Sequence, residues 1–343
     1  MQIAVTGSIA TDHLMTFPGR FTEHIIADKL DRISLSFLVD RLEIRRGGVA
    51  ANISFGLGVL GLRPLLIGAV GPDFGPYRDW LTSHGVDCAE VRESSRHQTA
   101  RFVCTTDLDG NQIASFYPGA MSEDAEIDLR PVAERAGGLD LVLIGASDPE
   151  GMLRHTQQCT AMGIPFAADL SQQLPRLDGA AVRALVAGSA YLFCNEYEEA
   201  LIERKSGWDG AGVLAEVGVR VTTLAPAGPR VERCGQEPLL VGPVAERSKT
   251  DPTGTGDAFR AGFLAAVGWG MPLERAAQLA SRSGELEYVL ADVGDERVDV
   301  DERLHVRVAD GGVGDNRSAI GVPYEHDRTR GLSEHTGDVA RIA

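Results

Sequence analysis

Apolar residues along this chain follow two rhythms. Short continuous apolar runs, bounded by glycine or aspartate, occur at residues 3–5, 65–67, 141–144, 165–168, 191–194 and 221–224. Runs of that length without alternation predict strands buried on both faces, as in a parallel sheet. Between them the spacing becomes helical, at residues 48–60, 77–84, 151–162, 179–187 and 195–205. This alternation predicts an α/β fold with a doubly wound, mostly parallel sheet flanked by helices. In such a sheet, ligands sit at the carboxyl ends of the strands.

Residues 30–45 and 100–116 break the rhythm. There apolar and polar residues alternate, as in Arg101-Phe102-Val103-Cys104-Thr105-Thr106. A period of two predicts half-exposed antiparallel strands, either a small sheet covering a site or surface hairpins. Composition changes again near residue 283. Residues 1–282 are therefore expected to form the main domain, with lid strands within 12–45 and 98–118. Residues 283–343 form an atypical acidic segment.

The formal net charge is -16, so the surface repels polyanions. That argues against nucleic acid and anionic membrane as partners. Lysine occurs only at Lys29, Lys205 and Lys249, and no Gly-Lys-Ser/Thr sequence exists, which excludes a P-loop. Cys88, Cys104, Cys159, Cys194 and Cys234 are scattered without a Cys-x-x-Cys pair. They indicate neither a disulfide framework nor a zinc site, and fit a reducing compartment. With no secretory signal or membrane-spanning stretch to draw, the expectation is a cytoplasmic globular protein.

Three segments carry candidate chemistry. In Asp251-Pro252-Thr253-Gly254-Thr255-Gly256-Asp257, glycines precede a helical apolar run. Amides near residues 254–256 can point at an anion, aided by the helix dipole. A carboxylate at Asp257 is wrong for binding a phosphate, but suits a base acting on an attacking hydroxyl. An ordinary Gly-rich turn with an acidic first turn explains the spacing equally well. In Arg46-Gly47-Gly48-Val49-Ala50-Ala51-Asn52, paired glycines permit close ligand approach, and Asn52 lies one turn into a helix. In Asn195-Glu196-Tyr197-Glu198, Asn195 and Glu198 share a face and can order water around Mg²⁺. A capped helix with acidic residues in its first turn is the competing explanation.

Together these segments resemble the ribokinase-like (PfkB) family of sugar and nucleoside kinases. Residues 4–14, Phe116-Tyr117-Pro118-Gly119-Ala120-Met121-Ser122 and Ala167-Ala168-Asp169-Leu170-Ser171-Gln172-Gln173 are similar to its bacterial adenosine kinase branch. The resemblance implies ATP-dependent phosphorylation of the adenosine 5′-hydroxyl, with Mg²⁺ as cofactor. It implies that Asp257 is the base and that the amides of Gly254, Thr255 and Gly256 form the anion hole. Asp12 would bind the ribose hydroxyls, and Ser8, Ser36, Gly48 and Asn52 would complete the sugar pocket. Phe102 and Phe116 would stack on adenine, with Gln172 at its polar edge. Asn195, Thr223, Gly228 and Gly256 would face ATP, and Glu198 would position Mg²⁺ through water. In bare sequence terms both phenylalanines serve equally well as core residues. A homodimer through the lid strands is also expected.

Two segments depart from the family pattern. The nucleotide loop reads Leu224-Ala225-Pro226-Ala227-Gly228, lacking a glycine and a lysine-type charge, which implies a shifted ATP affinity. Beyond Ser281 the family continues with small apolar helices behind the ATP site, whereas residues 292–301 are rich in Asp, Glu and Arg. Such a segment buries little apolar surface and is expected to be disordered. Its poverty in lysine would suit a shifted reading frame in a GC-rich gene. Two other functions compete with adenosine phosphorylation: a related kinase acting on ribose or another nucleoside, and a nucleoside-binding protein with an impaired ATP site.

Overall fold

A nine-stranded sheet forms the frame of the computed structural model, which describes residues 1–25, 34–224, 227–243 and 254–291, the last with side chains to residue 283. The expectations for residues 225–226, 251–253 and the segment from 292 onward lie outside the described residues.

The chain opens with β1 (Ile3–Thr6), β2 (Ala10–Thr16), β3 (Arg41–Gly47) and α1 (Val49–Val59). Then come β4 (Leu65–Val70), α2 (Gly75–Ser83), β5 (Val91–Glu93), β6 (Ala100–Thr106) and β7 (Gln112–Tyr117). Next are α3 (Leu129–Arg135), β8 (Leu141–Ile144), α4 (Pro149–Met162), β9 (Phe166–Asp169) and α5 (Gly179–Val186). The remainder is β10 (Tyr191–Asn195), α6 (Glu196–Ser206), α7 (Gly210–Glu216), β11 (Val219–Leu224), β12 (Gly228–Glu232), β13 (Leu239–Leu240), α8 (Thr255–Gly268) and α9 (Leu273–Ala291).

Strand order in the large sheet is β13-β12-β11-β10-β9-β8-β1-β4-β5. Pairing is parallel from β11 to β5, and antiparallel where β12 and β13 extend one edge. The order reverses between β1 and β8, so a crevice opens there at the carboxyl ends. Each predicted apolar run forms a strand because both its faces are covered. Ile3 and Val5 enter a core with residues of α1, α2, α8 and α9, while Ala4 enters a second core with residues of α3 to α7.

The alternating segments form a separate four-stranded sheet, β3-β2-β6-β7. Its outer pairs are antiparallel and its central pair, β2 with β6, is parallel. The sequence pattern pointed to strands across residues 30–45. The structure forms β3 only from Arg41, with residues 34–39 irregular. One of the two central strands is β2, whose alternation is weak because Thr11, Asp12 and His13 are all polar. α9 runs as helix to Ala291, past the change in composition.

Candidate active site

Helix α8 begins at Gly254, whose φ of 86° turns the chain before Thr255. The first rung of the helix is Ala258 N–H to Gly254 O at 2.9 Å, so the amides ahead of it precede the intrahelical ladder. Thr255 and Gly256 are exposed. The described part of the glycine-rich segment is thus an open turn at a helix N-terminus, suited to an anion.

Asp257 lies in the first turn of α8 and is half-buried. Asn52 of α1 donates from Nδ2 to Asp257 Oδ2 at 2.9 Å. Burial pushes the Asp257 carboxyl up to about 6, with Asp169 and Asp12 adding to the rise. Arg260 and the Asn52 hydrogen bond oppose it. A carboxylate so tuned is ionised near neutrality yet able to take a proton.

Helix α1 starts at Gly48, with φ 98°. A β-carbon there would come within 2.6 Å of Ala10 N and Ser8 O, so only glycine fits. Ser8, buried just after β1, accepts from Val49 N at 3.0 Å through Oγ and from Ala50 N at 3.1 Å through its carbonyl. Ser8 therefore caps the helix that carries Asn52.

Asp12, Phe102 and Phe116 form one row across the small sheet. Asp12 pairs with Phe102, and Phe102 with Phe116, so all three share a face. The Asp12 carboxylate lies over Gly47, where an added β-carbon would sit 2.8 Å from its Oδ2. Phe102 is half-buried and Phe116 is 47% exposed, which leaves ring surface for a ligand. Ser36 is exposed in the irregular chain before β3, and Gln172 is exposed in the 3₁₀ turn Ser171–Arg176. No hydrogen bond among the described residues joins either of them to the row.

On the other side of the crevice, Asn195 and Thr223 are register partners at the carboxyl ends of β10 and β11. Gly228 pairs with Leu224 at the next turn of chain. Its φ is 88°, and a β-carbon would lie 2.2 Å from Val241 O. Asn195 and Glu198 form a capping box. Asn195 Oδ1 accepts from Glu198 N at 2.8 Å, and Glu198 Oε2 accepts from Asn195 N at 2.9 Å. The structural explanation of Asn-x-x-Glu therefore holds. Burial raises the Glu198 carboxyl above the usual range, and Asp169 adds to the rise.

Among the described residues no cluster of three or more His, Cys, Asp or Glu side chains could cage a metal. A Mg²⁺ ion in a phosphoryl-transfer site needs only one or two carboxylates beside phosphates and water, a demand that Glu198 fits.

Sequence reasoning assigned no role to Arg260. It is buried, and it pairs with Asp169 at the end of β9 through Nε–Oδ2 at 2.6 Å and Nη2–Oδ1 at 2.7 Å. The available signal was a charge inside the apolar run Ala258–Val267, matched by an acid closing the apolar strand β9.

Similarity to known proteins agrees with this geometry. Residues 9–287 match the model of the pfkB family of carbohydrate kinases. A nucleoside kinase from Methanothermobacter thermautotrophicus is 30% identical over 273 residues, covering 78% of this chain and 85% of that protein. The structure of Burkholderia thailandensis nucleoside kinase in complex with inosine superposes with a TM-score of 0.73 at 33% identity, covering 84% of this chain and 91% of that one. Adenosine kinase from Sinorhizobium meliloti, at 21% identity and a TM-score of 0.65, shares the fold over 82% of this chain and 92% of its own. The fold and the site define an α/β phosphotransferase. The chain belongs to the pfkB kinase family.

Proposed function

We propose that this kinase transfers the γ-phosphoryl group of ATP to the 5′-hydroxyl of adenosine, giving AMP and ADP, as a cytoplasmic enzyme of purine salvage. The observation that carries the choice of a nucleoside over a bare sugar is the Asp12–Phe102–Phe116 row. A carboxylate accepts two hydrogen bonds from vicinal ribose hydroxyls, and aromatic faces beside it take a base by stacking. A free sugar would gain nothing from those rings.

In this reading Asp257 removes the proton from the 5′-hydroxyl. The oxygen attacks the γ-phosphorus, the bond to the β–γ bridging oxygen breaks, and ADP leaves. The amides of Gly254, Thr255 and Gly256 stabilise charge on the transferred group, and Asn52 holds Asp257 in line. Ser8 and Gly48 shape the sugar pocket, with Ser36 and Gln172 closing on the nucleoside. Asn195, Thr223 and Gly228 line the ATP side. Mg²⁺ supplies charge neutralisation when bound with ATP, and Glu198 would hold it through water.

The reading includes a homodimer through the lid. The lid face opposite the Asp12 row exposes Leu42, Ile44, Ile113 and Tyr117, an apolar set on β3 and β7. Among the described residues no helix is long and apolar enough to cross a membrane.

An ATP-coupled assay of adenosine, inosine and ribose tests the proposal. Adenosine is expected to give the highest kcat/KM. A preference for ribose would overturn the nucleoside assignment, and a preference for inosine the adenosine one.

A further inference from the structure

A buried charge network lies beneath the transfer turn. Besides its pairing with Asp169, Arg260 donates from Nη2 to Ser171 Oγ at 3.2 Å, and Ser171 Oγ donates to Asp169 Oδ1 at 2.6 Å. Ser171 is held at φ 38°, which among the described non-glycine residues is the one left-handed conformation. Such backbone is costly and persists where the surroundings fix it. The network is the fixing element. On its other edge, Arg260 Nη1 sits 2.7 Å from where a β-carbon on Gly256 would lie. Gly256 and Arg260 are one helical turn apart, so the guanidinium backs the turn that carries the exposed residues Thr255 and Gly256.

We propose that Arg260, clamped by Asp169 and Ser171, is a positioning residue for phosphoryl transfer, fixing the Gly254–Gly256 turn and holding Asp257 beside a permanent cation. The proposal rests on the reading of Asp257 as the base. A buried ion pair contributes little net stability compared with an apolar pair of the same volume, so its placement here calls for another explanation. Among the described residues, Arg260 is the one cation among the main groups that act on Asp257 directly. The others are Asn52 of α1, Asp12 of β2 and Asp169 of β9, while Tyr77 of α2 shares the field of both Asp12 and Asp257. Arg46 of β3 acts on Tyr77, and Glu198 of α6 acts on Arg260. Arg260 lowers the proton affinity of Asp257, whereas Asp169 raises it.

The test is the pH profile of kcat in Arg260→Met, Arg260→Lys, Asp169→Asn and the double variant Asp169→Leu/Arg260→Met. Asp257→Asn is measured in parallel. Arg260→Met is expected to lower plateau kcat about a hundredfold, with the nucleoside KM within about threefold. Its acid limb is expected to move up by about one pH unit. Arg260→Lys should restore most of the limb position, and Asp169→Asn should move the limb down. The double variant replaces the pair by apolar groups and keeps the fold testable should the single variant misfold; its limb should also lie above that of the wild type.

A limb that stays in place in both Arg260→Met and the double variant, or equal losses in the Lys and Met variants, would overturn the proposal. Substantial turnover in Asp257→Asn would instead overturn the base reading. If the limb vanishes in Asp257→Asn but ignores Arg260, the positioning role alone fails.

Discussion

Asn52 Nδ2 and Asp257 Oδ2 are 2.9 Å apart although 205 residues separate them in sequence. One turn further along each helix, a β-carbon on Gly56 would lie 2.7 Å from Ala261 Cβ. Helices α1 and α8 thus run side by side from their amino termini, and the absence of a side chain at position 56 sets their spacing. That spacing places the Asn52 and Asp257 side chains in hydrogen-bond contact. Gly56→Val is therefore expected to destabilise the protein by about 1–3 kcal/mol through overpacking. It should also lower kcat, because Asn52 would be carried away from Asp257. Thermal denaturation combined with steady-state kinetics checks both effects.

Substitution of Asp257 tests its proposed role as the base. Asp257→Asn keeps the shape of the side chain but cannot accept the hydroxyl proton. Turnover is expected to fall about 10²–10⁴-fold, while adenosine affinity stays within about tenfold. Calorimetry with adenosine and a coupled assay on the same preparation measure the two quantities. A variant that keeps most of its kcat would refute the assignment.

The acid limb of the activity profile has a definite sign. Asp257 is pushed up to about 6, mainly by burial, and in the proposed role of base it would act only when deprotonated. Activity should therefore rise with pH through about 6 and level off above it. Asn52→Ala removes a hydrogen bond that favours the charged form, so its limb should lie at higher pH than that of the wild type. A limb at or below the wild-type position would contradict the geometry.

The sheet and the outline of the candidate site were legible in the sequence because each rests on local pattern. Continuous apolar runs mark strands covered on both faces, and the Gly-Gly and Gly-Thr-Gly-Asp segments mark helix starts. The Asp12–Phe102–Phe116 row was only half legible. Alternation puts Phe102 on one face of its strand, but the partners across the sheet depend on register, which residues of one strand cannot fix. Of Asp169 and Arg260 only the two charges among apolar residues were legible, not their pairing, since they are 91 residues apart and meet through packing of α8 on the sheet.

The lid row makes a prediction that separates binding from chemistry. Phe102→Ala and Phe116→Ala each remove a stacking surface worth about 1–3 kcal/mol per base. The nucleoside KM should rise about five- to a hundredfold, with kcat changed much less. Activity on ribose, if detectable, should be unaffected, because it never used the rings. Parallel kinetics with adenosine and ribose decide the matter, and an equal loss on both substrates would assign the phenylalanines to lid packing.

A second buried carboxyl gives a prediction about stability. Asp124 lies in the 3₁₀ turn Gly119–Glu126, fully covered, where it accepts from Ala69 N at 2.8 Å and from Ser147 Oγ. Its carboxyl is pushed from 3.8 up to about 8, chiefly by burial and to a lesser degree by the nearby Asp148 charge, against the hydrogen bonds from Ser147 and Ala69. Between these values the folded protein holds a proton that the unfolded chain releases. The group's contribution is thus fully present below about 4 and is lost as pH rises to about 8. Asp124→Asn keeps an acceptor for Ala69 N and needs no proton, so its stability relative to the wild type should grow across that window. Urea denaturation of both proteins at pH 5 and pH 8 measures the difference. A gap that is constant or shrinks toward pH 8 would show that Asp124 is charged in the folded state.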